Sequence, residues 1–416
     1  MDNSRVLDEV FEKFVKTTGI FKDRDVLRHD YIPERLPHRE QQIRLLGETV
    51  APVLKRSRCS NVLIYGKSGT GKTAVVKYVL SHLESKAKEF GAPVRSCYVN
   101  CRMVGSEYRV LTGLCQILGL SVPFTGLSVG EVFERFKTGL ERAKIIMLIA
   151  LDEADALVKS RGDSLLYELT RVNESLDDSK VSMLGISNDL RLKEFLDPRV
   201  LSSLSEEELV FRPYDAGELR NILLERVQTA FCDNVLGDAA LGLCAALAAA
   251  EHGDARRALD LLRVAGEVAE RKGDIAVGEE HVREAERHIE HNRLVEGLQN
   301  LTLHSKLVVL SVHHMNKSSS GGAITGEIYD VYGELSEELG LTPLTQRRLG
   351  TLINELDAMG LLNAKVISMG RYGRTKKIRL EVGCSAIKEV FGSDPRLGRL
   401  VEHVPNCLMK KSHTKK

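Results

Sequence analysis

Between residues 61 and 211 the apolar positions fall in five short runs, at 61–65, 94–100, 144–151, 181–186 and 209–211, each bounded by Gly, Asn, Asp or Ser. Short runs of β-branched and bulky apolar side chains predict strands, and the stretches between them carry helical spacing. Strands alternating with helices predict an α/β fold, a mostly parallel sheet covered on both faces with its ligand beyond the strands' carboxyl ends. From about 215 to 291 the strand pattern disappears. That segment is rich in Ala, Leu, Glu and Arg at helical spacing and reads as a helical bundle. After a Gly/Ser-rich break at 316–322, helical patterns at 324–339 and 345–359 precede two strand-like runs, 364–369 and 376–382, around a Gly-rich basic turn. Helices followed by a basic hairpin predict a winged helix-turn-helix. The first 60 residues look helical and polar apart from a stretch punctuated by Pro33 and Pro37.

Length and charge refine this picture. A chain of 416 residues suggests two to four domains. Its net charge of +1 is uneven: residues 300–416 hold 17 Lys+Arg against 11 Asp+Glu. A basic C-terminal part on a mildly acidic body points to a polyanion-binding module. Eight cysteines are scattered without a C-x-x-C pair, which argues against structural zinc and for reduced thiols in a cytosol. No apolar run is long enough to span a bilayer, and the acidic start MDNSRVLDEVFEKF is unlike a signal peptide. The expectation is a cytoplasmic, nucleoid-associated protein with no membrane partner.

Candidate chemistry begins at 66–73. The first strand runs into Gly66, Lys67, Ser68, Gly69, Thr70, Gly71, Lys72 and Thr73, followed by a helical pattern. This is the strand–GxxxxGK[ST]–helix phosphate loop in its required context. The glycines let backbone N–H groups turn towards phosphate oxygens, and the helix adds its free N–H groups and dipole. Lys72 would reach the β- and γ-phosphates, with the Thr73 hydroxyl on Mg2+. The third strand ends in Asp152 and Glu153. Asp152 would hold the metal, and Glu153 would orient and polarise an attacking water. Asn188, after the fourth strand, could reach the γ-phosphate or that water. Arg256 and Arg257 stand at the start of an expected helix in the helical segment, where a guanidinium could couple nucleotide state to domain angle.

At the C-terminal end, Thr345, Gln346, Arg347 and Arg348 open a helix whose Leu349, Leu352, Ile353, Leu356 and Met359 are expected to face inward. Its first residues are then free for base edges and phosphates in a major groove. Residues 365–380 hold six basic residues and no acid, and Arg371, Tyr372, Gly373, Arg374, Lys376 and Lys377 would form the wing that meets the DNA backbone.

Together these motifs resemble the AAA+ ATPases, with Walker A at 66–73, Walker B at 148–153, sensor 1 at Asn188 and sensor 2 at Arg256. More narrowly, YIPERLPHRE, RVLTGLCQILGL, PFTGLSVGEVFERF, ALDEAD, GISND, LDPRV and GDARRALDLLRVAGEVA are similar to the archaeal replication initiators related to the eukaryotic origin recognition complex. The resemblance spans most of residues 20–400. It implies an AAA+ base over 1–213, with an N-terminal extension at 1–20 and a helical insertion at about 104–127 that also touches DNA. A helical lid over 214–298, a winged helix over 299–400 and a basic tail over 401–416 follow. Tyr31, Ile32, Pro33, Arg39 and Tyr214 would contact the adenine nucleotide. Where related proteins often place a trans-acting arginine, this chain has Ser202 and Ser203, leaving Arg199 as the nearest candidate finger. The implied protein binds ATP or ADP with Mg2+, hydrolyses ATP slowly, grips double-stranded origin DNA beside other initiator protomers and recruits the replicative helicase. An ATP-regulated winged-helix transcription regulator, or an accessory or repressing paralogue, is the alternative reading.

Overall fold

The five apolar runs form a parallel sheet in the order β2-β3-β4-β1-β5, where β1 is Val62–Gly66, β2 Val94–Asn100, β3 Ile146–Asp152, β4 Lys180–Ser187 and β5 Glu207–Phe211. This computed structural model describes residues 7–8, 11, 19–29, 31–318, 322–368, 374–403 and 405. Every residue of β3 is buried, as a central strand packed on both faces requires. Period-two alternation splits each strand between two cores. On one face Ile64, Leu148 and Ile186 meet Val75, Val76 and Leu80 of the helix Lys72–Phe90. On the other, Leu63, Ile149 and Met183 meet Leu111 and Leu114 of Glu107–Ile117, Phe136 of Val129–Ala143, and Leu169 of Ser164–Arg171. The expected insertion at 104–127 contains the helix Glu107–Ile117 and then a loop carrying the exposed Phe124.

The helical segment opens at Asp215, which with Glu218 forms a capping box on the helix Ala216–Ala230. Helices Asp238–Ala250 and Ala255–Lys272 pack beside it. The N-terminal segment is fastened to this bundle rather than to the sheet. Cys232 N–H donates to Ile20 O at 3.0 Å, the Phe21 ring lies 4.7 Å from Phe231, and Arg24 pairs with Glu270 at 2.5 Å. Base and lid form one compact unit, Met1–Ala285, and the remainder, Glu286–Lys416, forms a second. The division falls within the helix Glu279–Gln299.

In the second unit, helices Leu303–Ser318, Thr325–Glu338 and Gln346–Ala358 enclose Leu307, Leu310, Ile328, Tyr332, Leu349, Ile353 and Ile378. Strands β6 (Ala323–Ile324), β7 (Leu362–Ser368) and β8 (Arg374–Leu380) form an antiparallel sheet in the order β6-β8-β7. Two expectations change in detail. The Gly/Ser-rich break begins later than its composition suggests, because the preceding helix runs through Asn316 to Ser318. Met359 is 58% exposed, because the helix ends at Ala358 and carries it past the inward-facing turn. The wing-tip residues Arg371, Tyr372 and Gly373, most of the 1–20 extension and most of the 401–416 tail lie outside the described residues.

Candidate nucleotide site and nucleic-acid interface

Strand order brings the predicted motifs together. β4 lies between β1 and β3, so the phosphate loop, Asn188 and the acidic pair leave adjacent strands at the same edge of the sheet. Gly69 and Gly71 adopt φ of +69° and +89°, which L side chains reach only with strain. Space forbids a side chain as well: a Cβ on Gly69 would lie 1.6 Å from Asp254 Oδ1, and one on Gly71 2.8 Å from the Tyr214 hydroxyl. Lys72 opens the helix Lys72–Phe90 and is 4% exposed. Its ammonium donates to the carbonyls of Gly66 and Lys67, each at 2.7 Å. Burial pulls its pKa down to about 8, with Asp152 opposing and Arg256 assisting the shift.

The acidic pair is tightly held. Asp152 accepts from the Thr73 hydroxyl at 2.7 Å and the Tyr98 hydroxyl at 2.6 Å through Oδ2, and from Glu153 N–H at 2.9 Å through Oδ1. Burial, followed by the bond to Asp152, raises the Tyr98 pKa and keeps its phenol a donor. Glu153 sits at φ +51°, a costly conformation for a residue with a side chain, at the start of the helix Ala154–Arg161. Its carboxylate accepts from Asn100 Nδ2 at 3.2 Å and pairs with Arg102 at 3.5 Å. Asp155 Oδ1 accepts from the Ser187 hydroxyl at 3.0 Å and Asn188 N–H at 3.2 Å, fixing the backbone from which the exposed Asn188 projects.

The lid reaches the phosphate loop directly. Asp254 caps the helix Ala255–Lys272, accepting from Arg256 and Arg257 N–H, while Ala255 N–H donates to Gly69 O at 3.1 Å. The two candidate lid arginines separate clearly. Arg257 pairs with Glu251 at 2.9 Å within the lid, whereas Arg256 is exposed and its charge is felt by Lys72.

Arg39 is a buried clamp. It is 1% exposed, and Nε donates to Thr70 O at 2.9 Å, Nη1 to His38 O at 3.0 Å and Nη2 to Arg212 O at 2.8 Å. Its guanidinium stacks 3.7 Å from the Tyr214 ring centroid. Both residues thus shape the floor of the loop. Tyr31 and Ile32 are exposed and Pro33 is half-buried. Arg199, on the helix Pro198–Leu204, pairs with Asp197 at 3.1 Å and lies 5.7 Å from the Tyr167 ring.

Sequence reasoning passed over Tyr98, Asn100, Arg102 and Asp254. Asn100 stands opposite Asp152 in the β2–β3 register, and a chain read in order does not reveal that these strands are neighbours.

In the second unit Thr345 caps the helix Gln346–Ala358, accepting from Arg348 N–H, and Thr345, Gln346, Arg347 and Arg348 are all exposed. Leu349, Leu352, Ile353 and Leu356 point into the core. Lys376 donates to Asn354, tying strand β8 to this helix, and Arg374 is exposed where the hairpin leaves its last described pair.

A P-loop sheet, a lid that caps it and a winged helix define a AAA+ protein with a nucleic-acid-binding type of module. Residues 55–191 match the family model of the AAA domain, 220–287 that of the Cdc6 AAA+ ATPase-type lid domain, and 296–390 that of the CDC6, C terminal winged helix domain. An ORC1-type DNA replication protein of Pyrococcus horikoshii is 50% identical over 392 residues, covering 93% of this chain and 94% of the relative. ORC1-type DNA replication protein 1 of Sulfolobus acidocaldarius is 48% identical, covering 95% and 99%. The structure of the Aeropyrum pernix ORC1 protein in complex with DNA superimposes with a TM-score of 0.83 at 48% identity, covering 92% of this chain and 99% of that one. The chain belongs to the ORC1-type DNA replication proteins, and the resemblance read from its motifs is borne out. Among the described residues no helix is long and apolar enough to cross a membrane.

Proposed function

We propose that this chain initiates DNA replication by binding duplex origin DNA, with ATP between base and lid as its switch and slow hydrolysis resetting it. The observation that carries the reading is the lid's grip on the phosphate loop. Asp254 and Ala255 sit against Gly69, and Arg256 opens the same helix, so phosphates entering the loop must displace the former and meet the latter. Lys72 would exchange two loop carbonyls for phosphate oxygens. Thr73 and Asp152 offer hard oxygen donors 2.7 Å apart, which suits Mg2+. These two residues would hold the ion, which when bound supplies positive charge against the phosphates. Glu153 would activate water once released from Asn100 and Arg102, and Asn188 would complete the phosphate contacts. Arg199 is the proposed finger towards a neighbouring protomer.

The A. pernix ORC1 protein was solved in complex with DNA. In this chain Gln346, Arg347 and Arg348 would enter a major groove, and Arg374, Lys376 and Lys377 would meet phosphates beside the wing tip at Arg371, Tyr372 and Gly373. The loop around Phe124 would add a contact from the base, and helicase recruitment would follow on DNA. The test is duplex affinity against salt, measured by fluorescence anisotropy. Contacts with about six phosphates give a slope of log K against log salt near −5. Arg374→Ala with Lys377→Ala should flatten that slope by about two; an unchanged slope rules out a role for the wing in DNA binding.

A further inference from the structure

We propose that Arg226 is a binding residue for the base of the nucleotide, donating a hydrogen bond from Nη1 to a ring-nitrogen acceptor on the adenine edge. The inference rests on the nucleotide-binding reading above and adds a residue to it. Arg226 projects from the lid helix Ala216–Ala230 and is 9% exposed, yet Nη1 is buried without a hydrogen-bond partner among the described residues. Buried charged groups are normally saturated with partners, so an orphaned guanidinium N–H calls for an acceptor from outside the chain. Its face is engaged: the guanidinium carbon lies 4.7 Å from the centroid of the Tyr31 ring. Burial draws the Arg226 pKa below its ordinary value, with Tyr31 and Glu225 pulling the other way.

Two further observations point to a flat apolar ligand beside this group. Tyr31 and Ile32 leave 39% and 41% of their surface uncovered next to the buried arginine, on a segment otherwise anchored at both ends. Upstream, Lys22 N–H bonds to Ala230 O at 2.8 Å; downstream, the Arg39 fork binds Thr70 O. Contacts also join the helix that carries Arg226 to the phosphate loop. Thr70 holds Arg39, Arg39 donates to the carbonyl of His38, His38 Nε2 meets Asn221 Nδ2 at 3.1 Å, and Asn221 lies on the same helix as Arg226. A nucleotide with its phosphates in the loop would extend its base towards this helix.

The chemistry of the donor limits the ligand. A guanidinium only donates, so it can bond adenine N1, N3 or N7 but not the exocyclic amine. Guanine, cytosine and uracil offer acceptors too, so Arg226 alone does not choose between bases; it makes the affinity for a given base depend on the acceptor that meets it.

The test compares the full-length wild type with Arg226→Met, which keeps bulk and removes the donor. Calorimetric affinities are measured for ATP, its 1-, 3- and 7-deaza analogues and inorganic tripolyphosphate. The expected result is an ATP affinity about 10- to 100-fold weaker in the variant, the range of a charge-assisted hydrogen bond, with tripolyphosphate affinity unchanged. One deaza analogue should bind the wild type as weakly as ATP binds the variant, and lose nothing further in the variant. The deaza series on wild type needs no variant and decides the matter if Arg226→Met does not fold. Wild-type affinities equal for ATP and all three analogues overturn the proposal. Equal losses for ATP and tripolyphosphate in the variant also overturn it, since they mark a structural role. If the wild type binds neither ATP nor tripolyphosphate, the phosphate-loop reading fails first and this one falls with it.

Discussion

Replacing Arg39 by lysine keeps one positive charge and removes a planar fork, which isolates what the fork does. In the native chain three separate donors reach three carbonyls, those of Thr70, His38 and Arg212, from a side chain 1% exposed. A lysine ammonium cannot span all three, so at least one buried carbonyl loses its donor, at about 1–3 kcal/mol. The flat contact with Tyr214, at 3.7 Å, is lost as well, and a desolvated cation–π pair is worth about 1–2 kcal/mol. Burial already lowers the Arg39 pKa, so part of the gross gain is consumed by desolvation. A net loss of about 3 kcal/mol is expected, equivalent to roughly 5 °C in the Tm of a unit this size. Calorimetry on Arg39→Lys reads this as an earlier transition of the base and lid. ATP affinity should fall too, because Thr70 belongs to the phosphate loop. A transition within about 1 °C of wild type would show that the fork is dispensable and refute the reasoning.

Other outcomes follow from the same site. The buried Lys72 has a pKa of about 8 in the free protein, below the 10.5 of an exposed lysine, so it is charged below that pH and increasingly neutral above it. Because phosphate binding needs the ammonium, ATP affinity should hold steady to about pH 8 and then weaken towards tenfold per unit; constant affinity to about pH 9.5 would contradict the assignment. The unfolded chain keeps that proton up to its higher pKa, so between these values Lys72 makes folding stability rise with pH, readable in urea midpoints. Glu153→Gln should retain ATP binding and block hydrolysis, with single-turnover phosphate release as the readout. Unaltered turnover would remove Glu153 from the chemistry.

Much of this architecture is legible in the amino-acid order because its signals are local. The run ending in Asp152 is apolar at every position from Ile146 to Leu151, and only a strand buried on both faces tolerates that. The glycines at 69 and 71 mark backbone that must turn through positive φ. What the chain order hides is pairing. Asn100 meets Glu153 because β2 lies beside β3, and Asp254 meets Gly69 because the lid folds back over the phosphate loop. Arg39 reads as a nucleotide contact on the strength of its motif, yet its Nε, Nη1 and Nη2 each donate to a backbone carbonyl, which only burial reveals. Arg256 and Arg257 are indistinguishable as neighbours in sequence; the helix start turns one to the phosphate loop's field and the other to Glu251.

Action at replication starts is tested most directly by a genome-wide occupancy map of the protein in its own cells, compared with measured replication start sites. Peaks are expected over repeated elements at those starts, weakened when Arg347 and Arg348 are replaced by alanine. Occupancy confined to promoters away from every start would contradict an initiator role and make the chain a transcription regulator.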